Sequence, residues 1–189
     1  LLASASPRRS ELLRQVGIAH EVRPVEVDES SRPGEAPAEY VLRLAEEKAR
    51  ALWDSLPASA RLPVLAADTT VALEGEIFGK PVNRAESVAM LARLSGRTHQ
   101  VHTAVAVLHA GGSAARVSSS SVTMREITRA EMDWYSGTGE PTDKAGGYAV
   151  QGRAAIFIRH IAGSYSGVVG LPLCETWELL RGVPGLLAG

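Results

Sequence analysis

Two arginines follow the segment Ser4-Ala5-Ser6-Pro7, with Arg8 and Arg9 falling where Ser6 as N-cap and Pro7 at the first position predict a helix start. The macrodipole disfavours cations at that end by a few tenths to ~1 kcal/mol each. Unpaired backbone N–H groups point to the same place. An anion seated there resolves the conflict, its oxygens gripped by guanidinium forks. The plainer alternative is two solvated arginines offset by Glu11. Lys48 has Leu44 and Leu52 four residues away and Ala45 and Ala51 three away, so its ammonium leaves an apolar helix face. It either snorkels to solvent or is a cation held in a cleft. Asp68 follows the apolar run 64–67, and aspartate is depleted inside strands. A carboxylate projecting from a strand end suits a metal ligand or a general base, and a turn or cap residue is the simpler reading. Glu26, Asp28 and Glu29 form an acidic group that is either solvated or the source of a second carboxylate. Gly79-Lys80-Pro81 and the segment 143–152, which ends Gln151-Gly152, combine charge, glycine and an amide in loops able to approach a ligand closely. Several cations around one isolated carboxylate suggest a metal-assisted site for a polyphosphate.

Other motifs fail on inspection. Residues 75–81 resemble a P-loop but lack one spacer, and Pro81 stands where a Ser or Thr would hold Mg²⁺. In Gly163-Ser164-Tyr165-Ser166-Gly167 a tyrosine occupies the nucleophile position of a nucleophile elbow. His99 and His102 lack the spacing of a zinc helix and read as packing or surface residues. Cys174, the only cysteine, sits among apolar residues and reads as a small core side chain.

The elements that must position these residues follow from periodicity and caps. Helices are predicted from Pro7 to Gly17, over 38–53, from Asn83 to Gly96 with a capping box to Glu86, from Thr128 with a box to Glu131 as far as Gly137, and over 173–181. Strands are predicted over 64–73, broken at Asp68-Thr69-Thr70, at the alternating Val101, Thr103, Val105 and Val107, over 116–124 after a Gly111-Gly112 hairpin turn, and over 154–161. Mixed helices and strands with one antiparallel pair argue an α/β or α+β fold on a mixed sheet.

Composition narrows the classes. The chain has 189 residues, enough for a single domain over 1–189 with its own core. A net charge of −1 and 5% aromatic residues disfavour a nucleic-acid partner, which needs a basic footprint or stacking bases. No apolar run is long enough for a membrane span. One cysteine forms no internal disulfide, and the first residues lack a basic flank and apolar core of a secretory leader, so a cytoplasmic protein is expected.

With the motifs LASASPRRSELL at 2–13, LAEEKA at 44–49, AADTTV at 66–71, GKP at 79–81, LSGRTHQVHTAV at 94–105, GEPTDKAGGYAVQG at 139–152 and GSYSGVVGLPLCET at 163–176, the chain resembles the Maf family of nucleoside triphosphate pyrophosphatases. The resemblance implies an α/β fold related to the inosine-triphosphate pyrophosphatases: an elongated mixed sheet flanked by helices, with two lobes around a deep cleft. It implies hydrolysis of a nucleoside triphosphate to monophosphate and pyrophosphate with a divalent metal cation, Mg²⁺ or Mn²⁺, by a homodimer. By motif position it makes Asp68 the proton acceptor, Arg8, Thr69 and Gln151 specificity positions, and Ser6, Arg9, Glu29, Lys48 and Lys80 further polar cleft residues. Asp68 and Glu29 are the metal-ligand candidates, and Lys48 and Lys80 the cations that assist catalysis. The stretch 154–175 resembles the branch acting on dTTP and UTP. A nucleotide-binding regulator of cell division without turnover is the rival expectation.

Overall fold

The computed structural model describes residues 1–187. The alternating valines around Thr103 form the centre of a long strand, β3 (Thr98–His109), the middle member of a five-stranded antiparallel sheet. On one side lies β1 (Val64–Leu73), paired from Val64 opposite Leu108 to Ala72 opposite Gln100, and then the short β2 (Glu76–Phe78). On the other side lie β4 (Gly112–Met124), joined to β3 by a tight hairpin, and the edge strand β5 (Ile158–Ala162). The five strands pair only antiparallel, not as the expected mixed sheet; parallel pairing is confined to isolated bridges of Leu2 with Leu65 and Val22 outside those strands.

Helices cover the sheet in two groups. On one face of the upper half, α2 (Pro37–Ser55) lays Val41, Ala45, Ala49 and Leu52 on Val64, Ala66, Ala104, Ala106 and Leu108. On the opposite face, α1 (Pro7–Gln15) and the C-terminal helix Leu173–Arg181 bring Leu12, Leu13, Leu179 and Leu180 onto Leu65, Ala67, Val105 and Val107. The lower half carries a separate cluster. There α3 (Arg84–Leu94) and α4 (Arg129–Ser136) supply Leu91, Leu94, Met132 and Tyr135 against Val71, Val101, Val122 and Met124. Each fully buried leucine contributes roughly 1.5–3 kcal/mol. The turn α5 (Tyr165–Val169) precedes the C-terminal helix, α6. β1 and β3 therefore run through both lobes, and Asp68-Thr69-Thr70 sits at the passage between them.

Three further expectations change. β1 is not broken at Asp68-Thr69-Thr70: each of these residues pairs with β3, and the β-branched threonines suit an extended, covered strand. Asp68 thus projects from mid-strand, not from a strand end. Residues 154–161 are not one strand: Arg153–Phe157 is a 3₁₀ turn and only the residues from Ile158 are extended. Its first two N–H groups, on Arg153 and Ala154, are taken by the Glu140 carboxylate instead of a ladder. Cys174 is exposed, because the buried side of α6 is Thr176, Leu179 and Leu180.

One edge of β1 is incomplete. The N–H and C=O of Leu65 face outward to Leu1 and Ala3, and the two-residue strand period turns those of Ala67 and Thr69 the same way. Strand pairing on that side resumes at Val71 with β2. The resulting gap in the sheet edge is where the cleft opens.

Candidate active site

A cleft of about 560 Å³ lies over this gap, and Ser6, Arg8, Arg9, Glu29, Lys48, Asp68, Thr69, Lys80 and Gln151 all line it. That volume suits a nucleotide-sized ligand. Residues from six separate stretches of chain converge because both lobes border the opening.

The strand period separates Asp68 from Thr69. Asp68 projects from β1 to the face covered by α2, where Lys48 Nζ donates to Asp68 Oδ1 at 2.7 Å and to Glu29 Oε1 at 2.6 Å. Lys48 and Asp68 are both buried, so the ammonium does not snorkel to solvent. Lys80 Nζ lies 3.6 Å from Glu29 Oε2. Burial works against the Glu29 charge, but the Lys48 ammonium, with Lys80 behind it, outweighs this and holds the carboxyl below its usual range. The Tyr40 hydroxyl donates to the Glu29 carbonyl at 2.8 Å and ties the acidic loop to α2.

Thr69 faces the other side, toward α1. Arg9 Nη2 donates to Thr69 Oγ1 at 3.2 Å, Nη1 to Ser4 Oγ at 2.9 Å and Nε to the Gly170 carbonyl at 2.8 Å. The Thr69 and Thr103 hydroxyls are 3.0 Å apart, and Thr103 also donates to the Gly167 carbonyl. Arg9 is partly open to the cleft, yet surrounding protein desolvates it and lowers its pKa, an effect the Asp68 charge partly offsets. No carboxylate within ion-pair range accepts from its guanidinium among the described residues. A desolvated cation held by neutral acceptors alone is poised for an anionic ligand.

Arg8, the next cation, reaches across the cleft mouth to Asp143 Oδ2 at 3.0 Å. Ser6 stands at the N-cap position of α1, but its side chain makes no capping bond. On the far wall, the loop after the 3₁₀ turn Ala145–Gly147 carries Gln151, which is exposed to the cleft. Gly146 has φ 68°, and a Cβ there would lie 2.8 Å from the Val71 side chain. Its N–H donates to the Gly79 carbonyl at 2.9 Å, which draws the Gln151 loop and the Lys80 loop together.

Tyr40 and Gly170 are not among the site candidates the sequence offers, and Asp143 enters only as part of the segment 143–152. Tyr40 is eight residues before Lys48 on the same helix face, a spacing that points to it. Asp143 lies within a motif already singled out. Gly170 contributes only a carbonyl, for which no side-chain signal exists.

Among the described residues no group of three or more His, Cys, Asp or Glu forms a cage for a metal ion. Asp68 and Glu29 alone converge, each with one oxygen on Lys48 and a second oxygen beyond it. Two hard carboxylates, with remaining positions left to water and phosphate oxygens, are ligands that suit a hard divalent cation.

An α/β scaffold whose cleft combines a desolvated arginine with a lysine-bridged carboxylate pair defines a binder of polyanionic ligands. The chain matches the family model for Maf-like protein over residues 1–183, and it belongs to that family. A Bordetella avium protein named dTTP/UTP pyrophosphatase is 55% identical over 189 residues, covering 95% of this chain and 92% of that protein. Proteins of the same name from Methylobacillus flagellatus and Dechloromonas aromatica are 51% and 50% identical, each over 95% of this chain and over 90% and 94% of their own lengths.

Proposed function

We propose that this chain hydrolyses dTTP and UTP to the nucleoside monophosphate and pyrophosphate, and so clears surplus or non-standard nucleotides in the cytoplasm as a homodimer. Relatives of that name at 50% to 55% identity over nearly the whole chain support the substrate class. The observation that carries the chemistry is the charge arrangement in the cleft. Arg9 is desolvated and has no carboxylate partner among the described residues, while Asp68 and Glu29 share the Lys48 ammonium. A regulator that only binds nucleotide needs the cations but has no use for the carboxylate pair.

Arg9 and Arg8 grip the phosphate oxygens, Arg8 exchanging Asp143 for substrate. Asp68, one oxygen fixed by Lys48, presents the other to a water aligned on the α-phosphorus and accepts its proton. The water oxygen bonds to the α-phosphorus as the bond to the bridging oxygen breaks, and pyrophosphate departs. Lys48 and Lys80 counter charge that builds on the phosphoryl oxygens. Asp68 and Glu29 would hold the divalent cation, which supplies Lewis-acid stabilisation of the same oxygens. Gln151 offers an amide donor and acceptor to the imide edge of uracil or thymine.

The test is product analysis with dTTP, UTP, CTP, GTP and ATP, with Mg²⁺, with Mn²⁺ and with chelator. Equimolar monophosphate and pyrophosphate from dTTP and UTP, lost on chelation, are expected. Orthophosphate as the product, or no turnover of any triphosphate, would overturn the reading.

A further inference from the structure

Gln151 lies at the middle of a loop whose two shoulders are tied to one pair of side chains outside the cleft. Tyr135, on α4, is fully buried. Its hydroxyl donates to Glu140 Oε1 at 2.8 Å and accepts the N–H of Ala149 at 3.3 Å, two residues before Gln151. Glu140 Oε2 accepts the N–H of Arg153 at 3.0 Å, two residues after Gln151, and Oε1 accepts that of Ala154 at 3.4 Å. Between them the chain passes so close to the carboxylate that a Cβ on Gly152 would lie 2.5 Å from Oε1. Glu140 is itself fixed: its N–H donates to Thr138 Oγ1 at 3.2 Å and its carbonyl accepts from Lys144 Nζ at 2.6 Å.

No lysine or arginine lies in ion-pair range of this carboxylate among the described residues. Its charge is met by one hydroxyl and two backbone N–H groups. Apolar packing can stabilise a fold as well as a partly buried polar network does, whereas a fully satisfied network specifies one geometry. What this one specifies is the path of the chain from Ala149 to Ala154. Neither Tyr135 nor Glu140 lines the cleft, so neither touches a ligand there.

We propose that Glu140 and Tyr135 are positioning residues that hold the Gln151 carboxamide in register with the base, and thereby help set which triphosphate is turned over. This rests on the reading that Gln151 faces the base. The buried hydroxyl keeps its proton, since burial first and the Glu140 carboxylate second push the Tyr135 pKa up. Tyr135 is therefore the donor and Glu140 the acceptor in the bond between them.

The experiment compares Glu140→Gln and Tyr135→Phe, each alone and combined with Gln151→Ala. It reads kcat and KM for dTTP and for CTP, together with the melting temperature. Each single variant is expected to lower the dTTP-to-CTP ratio of kcat/KM by about fivefold to tenfold, the scale of one hydrogen bond lost at the base edge. Combined with Gln151→Ala, neither is expected to lower the ratio further, the non-additivity of residues acting through one group. Equal losses for both nucleotides with the ratio intact would mean a structural role only and overturn the proposal. Additive losses would overturn it too, because the pair would then act by another route. If Gln151→Ala itself leaves the ratio unchanged, the base reading fails and the positioning role falls with it. If Gln151→Ala changes the ratio and the other two do not, only the positioning role is overturned. Tyr135→Phe keeps the buried ring and carries the test alone should Glu140→Gln not fold.

Discussion

The Lys48 ammonium lies 2.7 Å from Asp68 Oδ1 in the buried wall of the cleft and joins α2 to β1 through an ion pair. The same ammonium holds Glu29 at 2.6 Å. Removing it leaves the buried Asp68 carboxylate without its counter-ion, beside the half-exposed Glu29. Lys48→Met is therefore expected to lose most activity and about 3 kcal/mol of stability, the cost typical of breaking a buried pair from one side. Urea unfolding at pH 7 checks this; a variant as stable as the wild type would mean that the pair does not tie helix to sheet.

Arg9 makes three hydrogen bonds and, among the described residues, no ion pair. Arg9→Met deletes a desolvated cation, so its stability is expected to stay within about 1 kcal/mol of wild type, the lost bonds offsetting the relieved charge. Binding of a non-hydrolysable triphosphate is expected to weaken by about 1–3 kcal/mol. Calorimetric titration reads both the affinity and its loss. Unchanged affinity would place the phosphate grip elsewhere.

His99 gives the fold a pH dependence. Burial lowers its pKa to about 4, while Nε2 meets the Tyr148 hydroxyl at 2.7 Å. An unfolded histidine titrates near 6.5, so between about 6.5 and 4 the unfolded chain binds more protons than the folded one. Stability from this group is complete above that window and falls as the pH drops through it, by up to about 3 kcal/mol near pH 4. Melting temperatures from pH 7 to 4.5 are expected to decline less in His99→Phe than in the wild type. Parallel declines would show that His99 is not the titrating group.

The proposed reading of the base rests on Gln151. Gln151→Glu replaces the amide donor by an acceptor and is expected to reduce the preference for dTTP over CTP by about tenfold, since a site built on a polar pairing rejects the wrong partner strongly. The ratio of kcat/KM values checks this, and an unchanged ratio would remove Gln151 from base reading.

Much of this site was legible because chemistry and spacing coincide. A carboxylate after an apolar run, cations at a helix start and a lysine on an apolar helix face mark Asp68, Arg8, Arg9 and Lys48 without any tertiary information. Partnership was not legible. Glu29 lies in an irregular acidic stretch, and only the fold brings it to Lys48. Asp68 and Thr69 are adjacent in sequence but, by the strand period, serve opposite faces of β1: one meets Lys48, the other Arg9. The polar run at 68–70 reads as a break because polar residues usually end strands, yet here they line a gap in a sheet edge. Likewise the apolar residues 154–157 read as a strand until Glu140, fourteen residues earlier, is seen to take the first backbone donors.

Asp68→Asn tests the central claim most directly, because it keeps the shape of the side chain and removes its basicity. With dTTP and divalent cation, pyrophosphate release is expected to fall at least about a hundredfold in kcat, within the range of general-base loss, while binding of a non-hydrolysable triphosphate is retained. Near wild-type turnover in the purified, folded variant would contradict the account.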